Sequence, residues 1–110
     1  MNAEELKSKL RKIFGNQIIF NTKFEMYADN IKNVDDIFIS WCLQVKEKKI
    51  LPIPSKKFME NLIFIRKIGN SNRCIIIKIK NGIFSEIHLG DHQYYDELRV
   101  KLGIKESSVK

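Results

Sequence analysis

Residues 62–102, LIFIRKIGNSNRCIIIKIKNGIFSEIHLGDHQYYDELRVKL, decide how the chain folds. They read as three short β-branched strands, a polar segment and a helix. Asn81-Gly82 between two isoleucine-rich runs marks a hairpin. A two-residue turn there sets Ile77 opposite Glu86 and Ile75 opposite His88, which mixes apolar and charged side chains on both faces. A three-residue loop, Lys80-Asn81-Gly82 with Gly82 left-handed, pairs Ile79 with Ile83, Ile77 with Ser85, Ile75 with Ile87 and Arg73 with Leu89. This second register gives one coherent face and is the expected one. Gly69-Asn70-Ser71-Asn72 reads as a four-residue connection that pairs Ile68 with Arg73, Phe64 with Ile77 and Leu62 with Ile79. Leu62, Phe64, Ile68, Ile75, Ile77, Ile79, Ile83, Ile87 and Leu89 then share the core side.

Two functional consequences follow from antiparallel strands. The first turn and the end of the third strand lie at one edge of the sheet, which gathers Arg66, Lys67, Arg73 and the segment Gly90-Asp91-His92-Gln93-Tyr94-Tyr95-Asp96. The other face carries Ile63, Ile65, Lys67, Cys74, Ile76, Lys78, Lys80, Phe84, Glu86 and His88, a mixture that water alone does not favour. Its apolar patch of Ile63, Ile65, Ile76 and Phe84 is expected to be covered in part by the chain's own N-terminal helix and in part by a partner segment.

Length and composition narrow the classes. At 110 residues the chain fits one domain with a single core, and no apolar run reaches bilayer length. The opening MNAEELKSKLRK lacks the apolar middle of a secretory signal, so a cytoplasmic location is expected. Cys42 and Cys74 are isolated, without the spacing of a zinc site or a disulfide framework, and are read as reduced and packed. Lys and Arg number 20 against 13 acids, a net charge of +7, which favours a polyanionic partner through steering and counterion release. A solvated basic surface would account for the same excess.

Taken in order, Ala3 to Phe14 reads as an amphipathic helix that Gly15 ends, with Leu6, Leu10, Ile13 and Phe14 on one face. Gln17 to Phe20 is a first strand. Asn21 can cap a helix from Thr22 to Asn30 that buries Phe24, Tyr27 and Ile31. Asn33 can cap another from Val34 to Lys48, with Val34, Ile37, Phe38, Trp41, Cys42 and Val45 inward, and the two are expected to form a helical hairpin. Pro52 and Pro54 make residues 50–56 a connection rather than a regular element. Ser55 starts a single turn through Phe58 and Met59. Gln93 to Leu102 is helical, with Tyr95, Leu98 and Leu102 at core spacing and Gly103 as the stop, and residues 104–110 are expected to fray.

A strand, two helices, a three-stranded meander and a glycine-led polar motif opening the last helix resemble the RelE/ParE superfamily of toxin-antitoxin toxins, and its HigB-like branch above all. The residues that carry the resemblance are Asn72-Arg73-Cys74-Ile75-Ile76-Ile77, similar to the family's arginine-led strand, and Gly90-Asp91-His92-Gln93-Tyr94-Tyr95-Asp96-Glu97-Leu98, similar to its Gly-x-His-x-x-Tyr-Asp motif. The helix at 3–14 and the proline segment depart from the family pattern, and many members have arginine where His92 stands. The resemblance implies an α+β fold: a small antiparallel sheet, built of the N-terminal strand and the meander, packed on N-terminal helices, with a short C-terminal helix. It also implies an endoribonuclease that cuts mRNA, commonly on the ribosome, held inactive by an antitoxin and working without a metal or other cofactor. Some members instead act on a topoisomerase, which keeps a non-catalytic binding module as the rival reading.

The implied chemistry is attack of a ribose 2′-hydroxyl on the adjacent phosphorus, which needs a base, cations around the phosphorane and an acid for the leaving oxygen. His92 is the candidate acid or base, though Asp91 or His92 also suits a helix cap. Tyr95 could bond the phosphate, stack on a base or relay a proton, or simply pack; Tyr94 replaces it if the helix is rotated. Asp96 could orient His92 or act as a base, or merely complement the helix dipole. Arg73 could hold a phosphate bidentately or pair with Asp91 or Asp96. Arg66, Lys67 and Lys78 are the candidate phosphate-binding cations; Lys67 and Lys78 are expected on the same face. His88 with His92 lacks a third ligand at metal spacing, so no metal site is expected.

Overall fold

In a computed structural model that describes residues 2–30, 36–58, 60–68 and 71–104, the local signals at the N-terminus set the first helix. The side chain of Asn2 accepts the amide of Glu5 at 2.8 Å, and Glu4 and Glu5 lie at the positive end of α1 (Ala3–Phe14). Gly15, at φ +107°, donates its amide to Arg11 and ends it. Ala3, Leu6, Leu10 and Phe14 form the buried stripe.

The architecture is α+β, with a five-stranded mixed sheet in the order β1 (Ile19–Phe20), β5 (Phe84–Asp91), β4 (Asn72–Ile79), β3 (Asn61–Ile68), β2 (Ile53–Pro54). Two features depart from the all-antiparallel, four-stranded expectation. β1 runs parallel to β5: α2 (Phe24–Asn30) and α3 (Asp36–Lys46) carry the chain from β1 to β2 at the opposite edge, and the antiparallel run β2–β3–β4–β5 returns it beside β1 in the same direction. Residues 53 and 54 form a short edge strand on β3, a place proline tolerates because an edge leaves one backbone direction unpaired. Asn21 does not cap α2 with its side chain. Its amide group instead grips the backbone of Leu89 from both sides, Leu89 N to Oδ1 at 2.9 Å and Nδ2 to Leu89 O at 3.0 Å, and so prolongs the β1–β5 ladder.

The register of the meander corrects both expected pairings. β3 and β4 meet with Ile68 opposite Asn72, Phe64 opposite Ile76 and Leu62 opposite Lys78, one residue away from the expected alignment. At the second hairpin the three-residue loop forms, with Ile79 donating its amide to Ile83 at 2.9 Å, but Asn81 at φ +58° takes the left-handed position rather than Gly82. A bulge at Ser85 then shifts the ladder, so that Ile77 faces Glu86 and Ile75 faces His88. That pairing looked unfavourable for a sheet with one buried face. Both faces here are covered, which removes the objection.

On one face α1, α2 and α3 bury Phe64, Ile68, Cys74, Ile76, Phe84, Ile87 and Leu89. On the other, α4 (His92–Leu102) buries Ile63, Ile75 and Ile77 beneath Tyr95 and Leu102, with Ile104 completing the cluster. The expected single core side is therefore divided between two cores, and Ile79 and Ile83 are exposed. The expected apolar patch is divided too, Ile76 and Phe84 lying under the N-terminal helices and Ile63 and Ile65 under α4. Ile37 is exposed, whereas Phe38, Trp41, Cys42 and Val45 point inward as expected. Among the described residues α1 is the helix against which both α2 and α3 pack, in place of a hairpin of α2 on α3. Ile31, Asn33, Val34 and Met59, and residues 105–110 of the expected frayed tail, lie outside the described residues. Ile104 is not frayed: it is buried and exchanges hydrogen bonds with Arg99. Ser55 does start the turn, accepting Phe58 N at 3.0 Å, while its hydroxyl donates to Leu102 O at 2.6 Å and satisfies a carbonyl at the end of α4. No helix among the described residues is long and apolar enough to cross a membrane.

Candidate functional site

Three strands deliver their ends to one rim of the sheet. Lys67 on β3 faces Arg73 on β4, and Arg73 faces Gly90 on β5. The chain then turns into α4 through Asp91, whose carboxylate accepts the amide of Tyr94 at 2.9 Å. Asp91 is therefore the cap, which leaves the ring of His92 uncommitted to that task.

His92, its side chain 53% exposed, lies 3.0 Å through Nδ1 from Oδ2 of Asp96, one helical turn on. The other oxygen of Asp96 is 3.6 Å from Nε of Arg99. A carboxylate at that distance favours a proton on Nδ1 over one on Nε2, and Nε2 is then the nitrogen left to act as acceptor in the neutral ring. Tyr95 stands edge-on to His92, with ring centroids 6.1 Å apart, and the guanidinium carbon of Arg73 lies 5.5 Å from the Tyr95 centroid. Arg73 also donates to Asn72 O at 3.0 Å, and among the described residues it makes no ion pair with Asp91 or Asp96. A proton acceptor and a cation thus flank one exposed rim.

The chain has no match among protein-family models, curated proteins or solved structures.

Of the residues singled out in the sequence, His92, Asp96, Tyr95, Arg73 and Lys67 come together. Tyr95 is 3% exposed, so its ring supports Arg73 and the α4 core rather than offering a face to a base. Arg66 is on the opposite face of the sheet, its guanidinium 5.9 Å from the centroid of Trp41. Lys78 does not share a face with Lys67. It lies five residues along β4 from Arg73, roughly 16 Å at 3.3 Å per residue, on the helix-covered face with its ammonium 5.4 Å from the Phe84 centroid. It lines a groove of about 320 Å³ with Val45, Lys48, Leu51, Leu62 and Lys80 at the far end of the molecule.

One cluster escaped the sequence reading. Glu86 and His88 alternate with the buried Ile87 and Leu89, and the bulge at Ser85 sets them on the α4 side. Nε2 of His88 lies 3.1 Å from Oε1 of Glu86, and Nδ1 lies 2.7 Å from the hydroxyl of Tyr94. Burial pushes His88 below the ordinary imidazole range, although the hydrogen bond and charge of Glu86 pull it up. With the neutral ring's one proton directed at Glu86, Nδ1 accepts the Tyr94 hydroxyl proton. Burial raises Tyr94, a hydrogen bond from Asn21 opposing. The Tyr94 ring lies against Gly90, where an added Cβ would come within 2.5 Å of its Cδ1. Both nitrogens of His88 are thus engaged by Glu86 and Tyr94, not shared with His92. Glu-x-His-x-Gly before a tyrosine is the signal that could have been read, since it places an acid, an imidazole and a bare backbone on one strand face.

Proposed function

We propose that the protein is a metal-independent endoribonuclease, the toxin of a type II toxin-antitoxin pair, that cleaves mRNA at this rim. The single observation that carries the reading is the exposed His92–Asp96 pair with Arg73 held beside it on the Tyr95 ring. Nε2 of His92 takes the proton of a ribose 2′-hydroxyl. The oxygen bonds to phosphorus, the bond to the 5′-oxygen breaks, and that oxygen leaves with a proton from solvent at the open rim. A 2′,3′-cyclic phosphate and a 5′-hydroxyl result. The Asp96 carboxylate, 3.0 Å from Nδ1, stabilises the imidazolium that forms when Nε2 takes the proton, as the carboxylate does in other histidine-based sites. Arg73, with Lys67 alongside, stabilises the charge that builds on the phosphorane. The resemblance of residues 72–77 and 90–98 to RelE/HigB-like toxins and the net charge of +7 support an RNA target, with the ribosome as the setting and an antitoxin as the restraining partner.

The test is incubation of purified protein with an end-labelled RNA. Cyclic-phosphate ends that appear with wild type and vanish with His92→Ala support the reading. Intact RNA, alone and on translating ribosomes, sinks it. A second reading, a non-catalytic module that binds nucleic acid or a protein target such as a topoisomerase, draws on the lysine-fringed groove at the opposite end. It predicts growth arrest on expression with cellular transcripts uncut.

A further inference from the structure

Between α2 and α4, on the flank of α4 away from Arg73, lies a cleft of about 370 Å³ lined by Thr22, Lys23, Tyr27, Asp91, Gln93, Tyr94 and Glu97. Its walls include two aromatic rings, Tyr27 and Tyr94, with centroids 6.4 Å apart and planes tilted by 48°. The Tyr94 ring cannot swing. Gly90 lies beneath it, His88 holds its hydroxyl, and the His88 and Tyr94 rings stack at 6.1 Å. An aromatic wall fixed in advance loses little entropy when a flat ligand stacks on it.

Charge selects among flat ligands. Asp91 and Glu97 outnumber Lys23, so a phosphate is disfavoured inside the cleft and a ring with a donor edge is favoured. A cationic side chain of a protein partner would suit the acids, but the +7 chain repels a basic partner as a whole. A nucleobase meets both conditions: it enters neutral, and its own charged backbone stays outside the cleft. We propose that this cleft is a nucleobase subsite that prefers a base bearing an exocyclic amine, with the ring stacked on Tyr94, its edge against the tilted ring of Tyr27, and the amine donating to Glu97. Cytosine, adenine and guanine qualify and uracil does not. The subsite's role in choosing where RNA is cut rests on the ribonuclease reading, since His92 is the residue between Asp91 and Gln93 on the same turn; its existence as a base-binding cleft does not.

Cytidine and uridine, nearly identical in shape and differing at the amine, are the probes, titrated against the full chain while backbone amide shifts are followed by NMR. Shifts centred on Thr22, Tyr27, Gln93 and Glu97, at least about fivefold tighter binding of cytidine, and loss of that preference in Glu97→Gln are the expected results. Tyr27→Ala should weaken both nucleosides about tenfold. Should it unfold the chain, Glu97→Gln, an exposed change, still decides. Equal affinity for the two nucleosides, shifts elsewhere, or tighter binding of methylguanidinium than of cytidine at the cleft would overturn the inference. Cytidine selectivity without any RNA cleavage sinks the ribonuclease reading alone, and cleavage without selectivity sinks the subsite alone.

Discussion

Arg73 and Tyr95 come from different elements, the start of β4 and the first turn of α4, yet the guanidinium carbon lies 5.5 Å from the centre of the phenol ring. The ring is in the core and the cation at its margin, so one contact ties the stability of α4 to the position of a charge at the rim. The functional groups on α4 are therefore best tested in pairs, where one member changes chemistry and the other changes packing.

His92→Ala should lower RNA cleavage by about 10²-fold or more, the usual contribution of a positioned acid or base. Stability should move by no more than roughly 0.5 kcal/mol because the side chain is half exposed. RNA affinity should persist, since binding rests on the cations. Asp96→Asn should slow cleavage by at least about tenfold by removing the negative charge that stabilises the imidazolium. Single-turnover cleavage and filter binding, with urea melts alongside, check these four outcomes.

Arg73→Ala should weaken RNA binding and reduce the slope of log affinity against log salt by about 1, the loss of one phosphate contact. Lys78→Ala should leave affinity within roughly twofold, because it sits more than a Debye length from the rim on the other face. Equal effects of the two variants in a salt titration would mean that RNA spreads over the whole surface.

Gly90→Ala should cost about 1–3 kcal/mol, since the new methyl group needs space that the Tyr94 ring occupies. Tyr94→Ala in the same chain should recover part of that loss by vacating the space. Urea midpoints for the two single variants and the double variant read the coupling directly.

Burial holds His88 below the ordinary imidazole range, with Glu86 opposing. Above about pH 6.5 the ring is neutral in the folded and unfolded chain alike, and stability is at its full value. As pH falls below that, the unfolded chain takes up the proton first, so stability declines until the folded-state value is passed. Thermal melts across this interval should show the decline in wild type and a flatter profile in His88→Gln. Glu25, held low by the Lys7 ammonium, acts only further down, below the ordinary carboxylate range.

Cys42 is buried, its thiol pushed up to about 12, and Cys74, also buried, is raised well above the ordinary range. Neither forms thiolate at neutral pH, so both should resist an aromatic disulfide reagent in the folded state and react once guanidinium unfolds the chain. Rapid reaction of the native protein would show that the sheet opens beneath α3.

Much of the local structure was written in the chain itself. The bounds of α1 follow from Asn2 and Gly15 and the stop of α4 from Gly103, because caps act within a turn. The gathering of Lys67, Arg73 and His92 at one rim follows from antiparallel connectivity alone, and it survived an error of one residue in register. Which side chains share a face did not survive it, since strand parity reverses with each single-residue slip. Alternation reports register only when one face meets water. Here helices arrive on both faces, so Ile75 can stand opposite His88 at no loss, and the bulge at Ser85, the parallel β1 and the closure of Glu86, His88 and Tyr94 over Gly90 were decided by packing between distant segments.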